Sequence, residues 1–137
     1  MYAKDIMTRD IVTLKPDTGI FEAIALLVDS EISGAPVLDD TGTVVGIVSE
    51  KDLLVALDYL GIKKAESASI KQFMTKDIVS FPEDATVEFL MQELVRNNIK
   101  RVPILCGKTL VGIVSRRDVL RCIEQNRNQG PVSDTYQ

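Results

Sequence analysis

Gly46-Ile47-Val48-Ser49-Glu50-Lys51-Asp52-Leu53-Leu54 comes back sixty-six residues later as Gly112-Ile113-Val114-Ser115-Arg116-Arg117-Asp118-Val119-Leu120. Each stretch runs from an apolar, β-branched segment through Ser-x-x-Asp into an apolar helical stripe. That pattern reads as a strand feeding a capped helix. Working outward, Met7-Thr8-Arg9-Asp10-Ile11-Val12 matches Met74-Thr75-Lys76-Asp77-Ile78-Val79 at an offset of 67. Residues 6–38 against 73–105, with 44–57 against 110–123, share 18 identities in 47 positions. The chain is an internal duplication, and the repeat is the unit to be read.

Both copies parse alike. A short strand is predicted over residues 11–14 and 78–81, followed by Pro16 or Pro82 and a turn at Asp17 or Asp84. Ile20, Ala23, Ile24, Leu27 and Val28 then fall on one helical face, as do Val87, Leu90, Met91, Leu94 and Val95. Thr86 is the expected N-cap of the second helix, and Thr18 or Gly19 of the first. Strands at 35–38 and 44–48 flank the turn Asp39-Asp40-Thr41-Gly42, and strands at 102–105 and 109–114 flank Cys106-Gly107-Lys108. The second strand of each pair is nearly all apolar, which predicts burial on both faces. A closing helix starts at Glu50 and at Arg116. The order is strand, helix, strand, strand, helix, twice. The fold class is α/β (α+β), with repeat 1 over 1–60, a polar linker over 61–69, repeat 2 over 70–124 and a flexible tail over 125–137.

Composition narrows the function. Sixteen Lys+Arg against twenty Asp+Glu give a net charge of −4 in 137 residues, which disfavours a nucleic-acid binder. The absence of histidine removes the commonest general base and metal ligand. Cys106 and Cys122 are too few and too far apart for a zinc site, and read as reduced thiols. No P-loop and no nucleophile with an adjacent base is present, so no catalytic residue and no metal is assigned. Apolar runs are too short for membrane insertion, no secretory leader is recognised, and the expected location is cytoplasmic.

The Met-Thr-x-x-Ile-Val opening, the apolar-Pro-apolar strand (Ala35-Pro36-Val37 and Val102-Pro103-Ile104) and the Gly-Ile-Val-Ser-x-x-Asp-x-Leu close resemble the cystathionine beta-synthase (CBS) domain, across nearly the whole chain except its tail. The resemblance implies a Bateman module: two repeats packed with pseudo-two-fold symmetry, with two clefts between them. In relatives these hold AMP, ADP, ATP or S-adenosylmethionine as a regulatory ligand. It further implies a homodimer and regulation of a protein partner. No effector domain is read in the chain, so the partner is expected in trans, unless the chain is cut from something larger.

Ser-x-x-Asp is first of all a capping box. Its recurrence after equivalent strands raises a second use, because a helix N-terminus also attracts anions. By resemblance, Asp52 and Asp118 bind ribose hydroxyls. One cleft would combine Ser49, Lys51 and Asp52 with Ile78, Val79 and Ser80; the other would combine Ser115, Arg116, Arg117 and Asp118 with Ile11, Val12 and Thr13. Opening-strand backbones would read the adenine edge, favouring adenosine over guanosine ligands. Arg116 and Arg117 oppose the helix dipole, which suggests an anion; the alternative is a solvated pair. By family geometry, Arg101 points to the Asp52 cleft and Lys100 to the Asp118 cleft. Ser33 and Gly34 stand at their equivalents, so the clefts differ. Met7 and Met74 read first as core filling. The competing function is a structural dimerisation module with vestigial clefts. The wide apolar stripe of Leu53, Leu54, Leu57 and Leu60 is a second reason to expect a homodimer.

Overall fold

The computed structural model describes residues 1–127. Its elements in chain order are α1 (Ala3–Ile6), α2 (Ile20–Asp29), β1 (Gly34–Leu38), β2 (Val44–Ser49), α3 (Glu50–Leu60), α4 (Ile62–Ala65), a 3-10 turn (Ile70–Gln72), β3 (Phe81–Pro82), α5 (Val87–Arg96), β4 (Arg101–Cys106), β5 (Thr109–Ser115) and α6 (Arg116–Asn126). They form two compact units. One holds residues 1–11 with 79–127, and the other holds residues 12–78. The units do not follow the repeats as written in sequence. Each repeat's opening Met-Thr segment is built into the unit of the other repeat.

That exchange rests on backbone pairing and on a missing side chain. In the first unit, Thr8 and Ile113 exchange N–H···O bonds of 2.9 and 3.0 Å. In the second, Thr75 and Ile47 do the same at 2.8 and 2.9 Å. Beside each bridge a methionine lies over a glycine. A Cβ on Gly112 would overlap Met7, and one on Gly46 would sit 2.9 Å from Met74 Sδ. Glycine in a strand marks such a close approach. Met7 is buried and Met74 half-buried, both packed against the core of their unit, as core filling predicts.

Each unit buries a two-helix layer against a small sheet. β1 pairs antiparallel with β2, and β4 with β5. The turns close through Gly42 at φ 84° and Gly107 at φ 65°, the left-handed conformation glycine adopts most easily. Ile20, Leu27, Val37 and Val48 centre one core; Leu90, Val102, Ile104 and Val114 centre the other. Thr86 Oγ1 accepts from Phe89 N at 3.2 Å, the predicted cap of α5. Gly19 caps α2 without a side-chain bond, while Thr18 Oγ1 accepts from Lys15 N.

Several sequence expectations are corrected. The opening strands are nearly absent: only Leu14 bridges Val37, and only Phe81–Pro82 forms β3 against β4. Proline is the reason. Leu14 N–H donates to Pro36 O at 2.9 Å, and Leu38 N–H donates to Leu14 O at 2.8 Å. In a parallel ladder the preceding rung would need the N–H of residue 36, which proline lacks. Pro103 stands at the same place in the other copy. Ile11, Val12 and Thr13 therefore make no backbone bond to the sheet, and neither do Val79 and Ser80.

The runs of consecutive buried residues are Gly34–Val37 on β1 and 102–104 on β4, around the prolines, and not on β2 and β5. On β2, Gly46 and Val48 are buried while Val45 and Ile47 are only half-buried; β5 repeats this with Gly112, Val114, Val111 and Ile113. The polar linker carries α4: Ala65 is fully buried and Ala68 O accepts from Ile20 N. Gln125 and Asn126, assigned to the tail, extend α6. The rest of the expected tail, from residue 128, lies outside the described residues. Val28 and Val95, assigned to the apolar stripes, are 67% and 77% exposed.

Candidate functional site

Each β-hairpin ends in a serine that starts a helix. Ser49 caps α3: its Oγ accepts from Asp52 N at 3.2 Å, and Asp52 Oδ2 accepts from Ser49 N at 2.9 Å. Ser115 caps α6 with the same pair at 3.2 and 2.8 Å. Ser49 Oγ and Ser115 Oγ also lie 3.1 and 3.0 Å from the carboxylate oxygens. The capping role of both aspartates is therefore real. It uses one carboxylate oxygen of each and leaves the other, Oδ1, to be engaged from outside the cap.

The two Oδ1 atoms have different surroundings. Asp52 is half-buried, and Thr75 Oγ1 lies 3.4 Å from both its oxygens. Asp118 is 7% exposed, and Arg121 Nη1 lies 3.5 Å from its Oδ1 as an ion pair. Val55 stands at the equivalent of Arg121, so the pair exists in one copy only. Neither Thr75 nor Arg121 was singled out from sequence. Thr75 belongs to the repeated Met-Thr, and Arg121 sits i+3 from Asp118, a spacing that brings helical side chains together.

At each helix start the amides are unequally used. Glu50 N–H donates to Ser33 O and Arg116 N–H to Lys100 O, both at 3.0 Å. The third amide goes to the serine. The second, of Lys51 and of Arg117, makes no bond within the described residues, and both side chains are exposed. That amide points along the positive end of the helix dipole, where an anion is favoured.

Arg116 does something other than wait for an anion. Its Nε donates to Ile99 O at 2.9 Å and its Nη2 to Asn98 Oδ1 at 3.3 Å, tying α6 to the turn before β4. These bonds explain why arginine is tolerated at a helix start. Arg101 opens β4 opposite Ser115, half-buried; Lys100 is exposed. Ile11 shares a unit with Ser115 and Asp118, and Ile78 shares one with Ser49 and Asp52, whereas Val12 and Thr13, like Val79 and Ser80, fall in the opposite units. Among the described residues no group of three His, Cys, Asp or Glu could hold a metal ion. No helix among them is long and apolar enough to cross a membrane.

Family comparison matches the CBS domain at residues 3–59 and again at 70–125. The chain belongs to the CBS domain family. Solved CBS pairs share its fold. The CBS domain pair of protein MJ0100, in complex with 5′-methylthioadenosine and S-adenosyl-L-methionine, superimposes with TM-score 0.81 at 27% identity, over 92% of this chain and 98% of that one. CBSX2 from Arabidopsis thaliana, in complex with AMP, superimposes with TM-score 0.81 at 31% identity, over 92% and 98%. The inosine-5′-monophosphate dehydrogenase of Methanocaldococcus jannaschii is 32% identical over 120 residues, which is 87% of this chain and 23% of that enzyme. The chain thus spans under a quarter of that relative, and corresponds to a CBS domain pair.

Proposed function

We propose that this CBS pair is a non-catalytic sensor of adenosine-type ligands, AMP, ADP, ATP or S-adenosylmethionine, that acts as a homodimer on a protein partner. The observation that carries the reading is the twinned arrangement of Ser49–Asp52 and Ser115–Asp118. In each, a helix start leaves one amide unbonded, and a carboxylate keeps Oδ1 outside its cap. An anionic or polar substituent suits the amides and side chains of Lys51 and Arg117. A ribose diol suits Asp52 and Asp118, because the Oδ1 left outside each cap has lone pairs to accept from its hydroxyl donors. The opening backbones at 11–13 and 79–80, freed from the sheet by Pro36 and Pro103, supply donors and acceptors for a base edge. Ile11, Val12, Ile78 and Val79 supply apolar faces for the base itself. The complexes of MJ0100 and CBSX2 support the ligand class.

The Asp118 side differs by the Arg121 ion pair, which a ribose must share or displace. Arg116, held by Asn98 and Ile99, has no part in the proposed contacts, and Lys100 and Arg101 serve as additional cations. Thermal melting with AMP, ATP, S-adenosylmethionine and GMP tests the reading. The expected result is a rise in Tm with at least one adenosine ligand and none with GMP. No shift with any of them, in a protein that remains dimeric, favours a structural dimerisation module.

A further inference from the structure

We infer that the two Ser-x-x-Asp sites sort adenosine-type ligands by charge. The Ser115–Asp118 site takes the polyphosphates ADP and ATP, and the Ser49–Asp52 site takes S-adenosylmethionine, which is net positive. This deepens the function proposed above and rests on it. The starting point is a scaffold that is duplicated while its charges are not. Both sites have the same cap, the same unbonded second amide and the same Oδ1 left outside the cap. A preference between them is therefore set by what surrounds those shared atoms.

The surroundings differ at four places, all in one direction. Directly after the serine, Glu50 of the first copy is Arg116 in the second. One turn beyond the aspartate, Val55 is Arg121. At the entry to β1 and β4, Ser33 and Gly34 are Lys100 and Arg101. The backbone holds these positions beside each cap. Ser33 O and Lys100 O accept from Glu50 N and Arg116 N, while Gly34 and Arg101 pair across their hairpins with Ser49 and Ser115. Counted together with Lys51 and Asp52, or Arg117 and Asp118, the first site has a net charge of −1 and the second +4. Charges gathered at a site bias which ions it collects.

The aspartates themselves repeat the contrast. Asp118 Oδ1 has Arg121 Nη1 at 3.5 Å, and the Arg121 side chain is 56% exposed, so donors remain for a ligand. Arg116 bonds to neutral acceptors, Ile99 O and Asn98 Oδ1, which leave its charge uncancelled. Asp52 instead has a neutral neighbour, the Thr75 hydroxyl at 3.4 Å. Its helix face continues as Val55 and Tyr59, both exposed. A phosphate chain there meets an unneutralised carboxylate and apolar side chains, whereas a sulfonium is attracted by the same carboxylate. Exposed charges about one Debye length away, roughly 8 Å, interact weakly one by one. A difference of five charges between the sites still amounts to about fivefold in relative affinity for each charge on the ligand.

Calorimetric titrations on single-site proteins test the sorting. Asp52→Asn leaves the Asp118 site, and Asp118→Asn leaves the Asp52 site. At the Asp118 site ATP should bind about tenfold or more tightly than S-adenosylmethionine, and should lose that lead as salt is raised. At the Asp52 site S-adenosylmethionine should bind at least as tightly as ATP. Exchanging the surrounding residues should move the ranking with them. Arg121→Val should cut the ATP lead severalfold, and Glu50→Arg with Val55→Arg should give the Asp52 site a preference for ATP. These exchanges alter exposed side chains, and apo melting curves check that the fold survives them. Two sites that rank ATP and S-adenosylmethionine in the same order overturn the sorting and leave the adenosine reading standing. No binding of either ligand at either site overturns that reading itself.

Discussion

Replacing Asp118 by asparagine separates the two jobs of its carboxylate. Asparagine is isosteric, and its amide oxygen still accepts from Ser115 N, which lies 2.8 Å from Oδ2. What is lost is the charge: one charge-assisted bond becomes neutral, and the 3.5 Å ion pair with Arg121 disappears. A charged bond is worth about 1.5–3 kcal/mol and a neutral one about 0.5–1.5, so the cap weakens by about 1 kcal/mol. Arg121 is mostly exposed, and its pair adds well under 1 kcal/mol. The fold should therefore lose about 1–1.5 kcal/mol, which is several degrees in Tm for a domain this size. A ribose diol is affected more. Asparagine offers one acceptor where carboxylate offers two, so at least one charge-assisted bond of about 1.5–3 kcal/mol goes, a loss of roughly tenfold to a hundredfold in affinity. Calorimetric titration with AMP on Asp118→Asn and Asp52→Asn measures this, alongside apo melting. Each variant should lose one binding event and keep the other. If both bind AMP within twofold of the parent while their Tm falls, the aspartates are caps and nothing more.

Three further outcomes follow from the geometry. Gly112→Ala should expel Met7, which is 8% exposed, and lower stability by about 2–3 kcal/mol in urea unfolding; Met7→Ala in the same chain should recover part of it, whereas Gly46→Ala, facing the half-buried Met74, should cost less. Asp39 is held below its ordinary value of 3.8 chiefly by the Thr41 hydroxyl, then by the Thr43 and Thr41 amides. A depressed folded value contributes stability above pH 3.8 that is lost as pH falls through the folded value. An NMR titration should place Asp39 below 3.8, Thr41→Ala should move it up, and a midpoint at or above 3.8 in the parent would contradict the turn geometry. GMP should bind at least tenfold more weakly than AMP by calorimetry, because its extra amino group leaves an unpaired donor; equal affinity rejects base reading by the strand backbones.

Much of the fold was legible because the duplication shows each element twice. Thr86, the two hairpins and both Ser-x-x-Asp caps stand where their sequence patterns put them. The opening strands failed for a local reason: the apolar-Pro-apolar segment that helped identify the family also removes the N–H those strands needed. β2 and β5 looked doubly buried because an apolar run does not say which side chains meet a partner. The exchange of Met7 and Met74 between units left one readable mark, a glycine inside each apolar strand. At the candidate site, the aspartates and serines came from motif and recurrence. Thr75 and Arg121 were missed because each matters only through a contact with Asp52 or Asp118. For Arg116 the sequence shows a charge set against the helix dipole, but not the carbonyl of Ile99 that receives its Nε–H.

The exchange of the Met-Thr segments makes residues 1–11 wait for a partner far along the chain. Residues 1–11 leave the ribosome well before residues 79–127, yet Ala3 bonds to Ala85, Met7 needs Gly112, and Thr8 needs Ile113. No early folding step can seat them, so the unit they complete closes only after most of the chain has been made. Contacts this distant in sequence are slow to form. Residues 12–78, by contrast, are contiguous and can assemble as they emerge. Maturation therefore proceeds from the middle outward. It also means that cutting at the linker yields two incomplete halves: one lacks Met74 and Thr75 and carries an unseated Met7, and the other has the reverse defect. A pair of repeats joined this way is inherited, expressed and degraded as one object, although its sequence reads as two.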